Sequence, residues 1–121
     1  MDSELAQLRP QLERALTYAG GTHTLADVTD GIAAGRYQLW PGTRSVVVTE
    51  VQIYPRKKLL CFFLAAGELP ELRRMLPFIL AWGRDQQHCD RAVIIGRAGW
   101  VRTFLTQEHW RPRALVLEKD L

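Results

Sequence analysis

Residues 59–66 read Leu-Leu-Cys-Phe-Phe-Leu-Ala-Ala, an unbroken apolar run. It has the length of a strand and falls far short of the ~20 residues that span a bilayer. A strand that is apolar on both sides must be covered on both faces. This chain therefore needs a sheet with a layer of other structure above it and another below.

The flanking segments supply such a sheet. Residues 45–54 alternate with period two and are rich in β-branched side chains, the signature of a strand. Thr49, Val51 and Ile53 share one face, and Glu50, Gln52 and Tyr54 the other. Pro55-Arg56-Lys57-Lys58 reads as a hairpin turn into the apolar run. Residues 37–40 form a shorter strand, ended by Pro41-Gly42. Three strands with short links should be antiparallel. Residues 92–95 form a fourth, ended by Gly96. A helix over residues 68–87 joins it to the apolar run, with Leu69, Leu72, Leu76, Ile79 and Leu80 on its buried side and a kink expected at Pro77. A strand-helix-strand crossover of this kind should be parallel and right-handed.

Helices supply the covering layers. Leu8, Leu12, Ala15, Leu16 and Ala19 fall on one helical face, with Leu5 ahead of them. Pro10 suits the first turn of that helix better than its middle, so regular helix is expected from there to Gly20-Gly21. Thr24 caps a second helix, with Asp27 three residues on as a capping box and Gly35 as its stop. A helix over residues 99–108, burying Trp100, Val101, Phe104 and Leu105, and a last strand over residues 114–118 complete the order. The expected fold is one α+β domain, residues 1–121, with a mostly antiparallel mixed sheet and helices on both faces.

Charge and cysteine content exclude several functions. Sixteen Lys and Arg stand against 13 Asp and Glu, a net charge of +3. That permits contact with a phosphate surface without the concentrated charge of a dedicated duplex binder. Cys61 and Cys89 make neither a disulfide framework nor a metal cluster, and no metal site is expected. Met-Asp-Ser-Glu at the start lacks a secretory n-region and h-region. The expectation is a cytoplasmic or virion-associated protein with no membrane segment.

The order of elements resembles the GNAT fold of N-acetyltransferases. The resemblance rests on the hairpin of residues 45–66, the crossover helix, and an ending of Ile95-Gly96-Arg97-Ala98-Gly99-Trp100-Val101-Arg102, His109-Trp110 and residues 114–119. Gln38-Leu39-Trp40, Val48-Thr49-Glu50, Tyr54-Pro55 and the Gly96-to-Arg102 stretch are similar to small GNAT-like proteins encoded by tailed phages and prophages. The resemblance implies acetyl-CoA as cofactor, held by a Gly-rich loop whose backbone N–H groups and helix start grasp the pyrophosphate. The matching positions here run from Ala65 to Arg73, with Gly67 as their one glycine. Pro70 lacks an N–H, and Glu68 and Glu71 would repel a phosphate. Gly67, Arg73 and Arg74 are the residues left to hold a cofactor. The ending carries Leu105 where the family often has a Tyr that protonates the departing thiolate, and Ala98 where Asn is common.

Other residues carry candidate chemistry of their own. Glu50 could serve as a general base toward an amine, or belong to a solvated strand face. His23, His88 and His109 are scattered, with no ligand spacing. Cys61 reads as a small core residue. Cys89 beside His88 and Asp90 only loosely imitates a catalytic pair. Trp82 and Trp100 read as core. Trp40 and Trp110, with Arg97, Arg102, Arg111 and Arg113 around them, are candidates for an interface.

Three functions follow. The first is a degenerate, non-catalytic GNAT-like domain that binds a protein partner or itself, such as a phage virion component inside the head or at the head-tail junction. The second is a divergent acetyl-CoA-dependent N-acetyltransferase with Glu50 as base. The third is a small basic nucleic-acid-binding module.

Overall fold

The computed structural model describes residues 2–96 and 98–121. It is a mixed α+β structure. Helices α1 (Asp2–Tyr18) and α2 (Leu25–Ala33) precede strands β1 (Tyr37–Pro41), β2 (Val46–Ile53) and β3 (Lys58–Ala66). Helix α3 (Leu69–Ala81) then leads to β4 (Arg91–Ile94). The sheet order is β1-β2-β3-β4, antiparallel except for the β3–β4 pair, which is parallel.

The apolar run lies between two cores, as its composition requires. On one face Leu8, Leu12 and Leu16 of α1 and Val28 and Ile32 of α2 pack on Val46, Val48 and Leu64. On the other, Leu72, Leu76 and Ile79 of α3 pack on Val47, Leu60 and Phe62. Burial of each such side chain contributes about 2 kcal/mol. The Thr24 capping box forms in full, with the Thr24 hydroxyl accepting from the Asp27 amide and the Asp27 carboxylate from the Thr24 amide. Gly31 of α2 lies against the Tyr37 ring, where an added Cβ would fall 2.3 Å from a ring carbon. Absence of a side chain there lets β1 seat against the helix.

Four expectations need correction. α1 runs through Pro10 instead of starting at it. Pro10 and Ala6 are exposed, so water can serve the Ala6 carbonyl that proline leaves without a donor. The segment expected as one helix over residues 68–87 is α-helical only to Ala81; Trp82–Gln86 winds as a π-turn closed by the Gln87 amide on the Trp82 carbonyl. Pro77 lies inside α3. The segment 99–108 forms two short 3₁₀ turns, Ala98–Arg102 and Thr106–Glu108. Thr103 explains the break: its hydroxyl donates to the Trp100 carbonyl and accepts from the Leu105 amide, competing with the helix ladder. Residues 114–118 form no strand and are exposed. The side chains of Leu5 and Val101, both expected in the core, lie outside the described residues.

Candidate functional site

The sheet opens where β3 changes its pairing. On the β2 side, Val48 faces Leu64 and Thr49 faces Phe62, so Phe63 is an extra residue, a β-bulge. On the β4 side, pairing ends at Phe62 with Ile94. Bulge and last pair therefore coincide. Phe63 and Leu64 both turn to the α1–α2 side, and beyond Ile94 the chain leaves the sheet. A cleft of about 640 Å³ lies at this fork, lined from both faces of the sheet.

Its α1–α2 side carries the polar groups. Glu50 lies half-buried directly across from Cys61. Gln52 donates to the Glu50 carboxylate at 3.0 Å, and the Tyr54 hydroxyl donates to Gln52 at 3.1 Å. The face read from the sequence as Glu50, Gln52 and Tyr54 is thus a hydrogen-bonded chain leading into the cleft. Burial, with the Glu50 charge second, pushes the Cys61 thiol up from its ordinary value. Cys61 is a poor nucleophile for that reason. Cys89, half-buried, is raised mainly by burial too.

His23 and Tyr37 also line the cleft, a pairing that the sequence does not announce. His23 stands edge-on to Phe63 with ring centres 4.7 Å apart. Its Nδ1 lies 2.7 Å from the Thr22 hydroxyl and its Nε2 3.4 Å from the Tyr37 hydroxyl. Spacing along the chain could not show this, because the α1–α2 loop and β1 meet only in the folded sheet. Loop glycines next to a histidine were the sole local hint.

The start of α3 is where the resemblance would place a pyrophosphate. Gly67 adopts φ +129°, and an added Cβ would fall 2.4 Å from Ser45 Cα. Glycine is required there by the neighbouring strand. The Glu68 amide donates to the Ser45 hydroxyl at 2.9 Å. Glu71 turns its carboxylate back onto the β1–β2 loop, accepting from the Thr43 amide at 2.8 Å and the Arg44 amide at 2.9 Å. Arg44 also reaches Glu68 at 3.3 Å. The Ser45 hydroxyl and then the Arg44 amide hold the Glu71 carboxyl down at about 2, with smaller help from the Thr43 amide and the Arg74 charge. Two carboxylates and a proline thus occupy the first turn. A pyrophosphate does not fit these residues.

Arg73 is engaged elsewhere: it pairs with Glu108 at 3.0 Å and lies over the Phe104 ring at 5.6 Å. Arg74 is exposed beside Glu71. Trp40 turns inward, edge-on to Trp82 at 5.4 Å, with its indole N–H on the Thr49 hydroxyl at 3.0 Å. Trp110 packs edge-on to Phe62 at 5.9 Å. Arg102, Arg111 and Arg113 are exposed. Arg97 lies outside the described residues. Trp40 and Trp110 thus pack on other rings, while Arg102, Arg111 and Arg113 face water. Leu105 is buried in the α3-side core and lines the cleft. Among the described residues no group of three or more His, Cys, Asp or Glu side chains converges to hold a metal. No described helix is long and apolar enough to cross a membrane.

Neither the protein-family models nor the curated proteins contain a match to this chain. Among solved structures, it is similar to the Thermus thermophilus protein TTHA1254, crystallised as a point mutant. The TM-score is 0.62 over 91% of this chain and 89% of that one, at 14% identity. At such identity the likeness concerns the fold alone.

Proposed function

We propose that this chain is a GNAT-like domain that works by binding and not by acetyl transfer, as a structural or adaptor component of a larger assembly such as a phage virion. The observation that carries the reading is Glu71 on the Thr43 and Arg44 amides. An internal carboxylate satisfies the donors of the loop next to the helix start, and the fold is stabilised by the same contacts that exclude an external phosphate. The parting of β3 and β4 at a bulge supports the GNAT-like part of the reading, because it leaves a cleft in the middle of an otherwise closed three-layer fold.

Thermal unfolding with millimolar acetyl-CoA tests it. A ligand present at 100 times its Kd adds about 3 kcal/mol of stability, which raises the Tm of a chain of this length by roughly 10 °C. The reading predicts no rise, and a rise of that size with acetyl-CoA would refute it.

One observation favours a second reading, an amine acyltransferase: Glu50 is a half-buried carboxylate facing the cleft, with His23 on the same wall. That reading predicts turnover on some member of a broad amine panel, abolished in Glu50→Gln. Absence of turnover across the panel would remove it.

A further inference from the structure

A second recess lies at the end of β3 opposite the fork. β1 starts at Tyr37, across from Glu50, so residues 51–53 of β2 project past it with the turn into β3. On the α3 side this leaves a slot of about 530 Å³. Val51 and Ile53 line it from the sheet, Trp82 and Gln87 from the π-turn, and Arg36 and Lys58 border it. The π-turn holds the tryptophan in place. Gly83 presses on β3, where an added Cβ would fall 2.7 Å from Leu60 Cδ2, and its carbonyl accepts from the Cys89 amide at 2.8 Å. Such turns interrupt a regular helix and recur at functional sites. Ile53 is 78% exposed and Trp82 half-buried, so the slot has apolar walls open to water.

The free charge around the slot is of one sign. Arg36 and Lys58 stand at it, and Arg56 and Lys57 in the exposed turn beside it. None of the four forms an ion pair among the described residues. The carboxylates of the adjoining segments are engaged: Asp90 accepts from the Lys58 amide at 2.9 Å, Asp85 pairs with Arg84, and Asp27 caps α2. We propose that this end of the molecule binds a single strand of nucleic acid, with one base in the slot between Ile53 and Trp82 and the phosphates on Arg36, Lys58, Lys57 and Arg56. A narrow apolar slot suits a flat base, and cations that continue past it suit a chain of phosphates better than one anion. The turn forms no apolar tip for a membrane, because Ile53 and Tyr54 fall on opposite faces and the Tyr54 hydroxyl is held by Gln52. The inference goes beyond the binding role proposed above and depends on neither Glu71 nor the cleft. It also uses none of the arginines near the end of the chain.

The test is fluorescence anisotropy of the whole chain with a labelled oligothymidylate of about 12 nucleotides, within the span of one small binding domain. Affinity in the micromolar range is expected at low salt. Phosphate contacts to four cations give a log–log salt slope near −3, so affinity should fall about 50-fold from about 50 to 200 mM salt. Arg56→Gln with Lys57→Gln, both in the exposed turn, should halve that slope and weaken binding roughly 10-fold, with the circular dichroism unchanged. Ile53→Asp, which sets a carboxylate in the slot, should weaken it by a similar factor. Arg111→Gln with Arg113→Gln should change neither affinity nor slope. Four results overturn the inference: no binding at low salt with 100 µM protein, a turn variant that binds like the wild type, a duplex of equal length bound as tightly, or displacement by phosphatidylserine vesicles or polyglutamate as readily as by unlabelled strand. The last would assign the surface to a membrane or an acidic protein.

Discussion

Glu71 is the side chain on which the account turns, and Glu71→Ala is its sharpest perturbation. The carboxylate accepts two backbone hydrogen bonds, from Thr43 and Arg44, across the junction of α3 with the β1–β2 loop. The Ser45 hydroxyl first, and then these amides, hold its carboxyl at about 2 against an ordinary 4.5. If the group were dehydrated, that difference would correspond to about 3 kcal/mol. Glu71 is only half-buried, and solvent screening reduces the figure to roughly 2 kcal/mol. With an unfolding entropy near 2 cal/mol/K per residue, 121 residues lose about 4 °C of Tm per kcal/mol. The variant should therefore melt ~8 °C below the wild type at pH 7, by circular dichroism or calorimetry. The pH dependence gives an independent check. A depressed carboxyl stabilises fully above its unfolded value of 4.5, and that contribution is lost as pH falls toward 2. The gap between wild type and variant should be constant from pH 7 to pH 5.5 and shrink below pH 4.5. Glu71→Gln, which can accept only at one oxygen, should fall between the two at pH 7. A Tm within 2 °C of the wild type, or a gap that widens on acidification, would refute the reasoning.

Other perturbations test neighbouring parts of the same argument. Gly67→Ala places a Cβ against the Ser45 backbone at a φ of +129°, so urea unfolding should show a loss of roughly 3 kcal/mol. Trp40→Phe removes the indole donor from Thr49 and should cost about 1–2 kcal/mol by the same assay. Cys61, buried and with its thiol raised, should react with a thiol reagent at pH 7 only on the unfolding timescale. A fast reaction in the folded Cys89→Ser variant would contradict that assignment.

Much of the fold was legible because apolar period and turn chemistry agree in the first two-thirds of the chain. The 59–66 run demanded two covering layers, Thr24 with Asp27 announced α2, and the strand order of residues 37–95 followed from link lengths. The last quarter was less legible, for local reasons. Thr103 diverts the backbone hydrogen bonds that a helix over 99–108 would use. Residues 114–118 have a strand's composition and form no strand.

The site was legible in part. Glu50 with Gln52 and Tyr54 could be read from period two, and the acidic turn at Glu68 and Glu71 from its charges. That Glu71 reaches back to residues 43 and 44 could not, because that contact joins loops far apart in sequence. The bulge at Phe63 was equally hidden: a run in which every residue is apolar carries no alternation to reveal a slipped register. Trp40 and Trp110 sit beside turns in the sequence, yet the Thr49 hydroxyl and the Phe62 ring draw them inward.

The most direct test of the central claim is a calorimetric titration of the whole chain with acetyl-CoA, with CoA and desulfo-CoA as controls. The account predicts no heat of binding up to millimolar ligand, because Glu68, Glu71 and Ser45 already fill the start of α3. One-to-one binding at micromolar affinity would contradict it, and would mean that the helix start holds a pyrophosphate despite its own carboxylates.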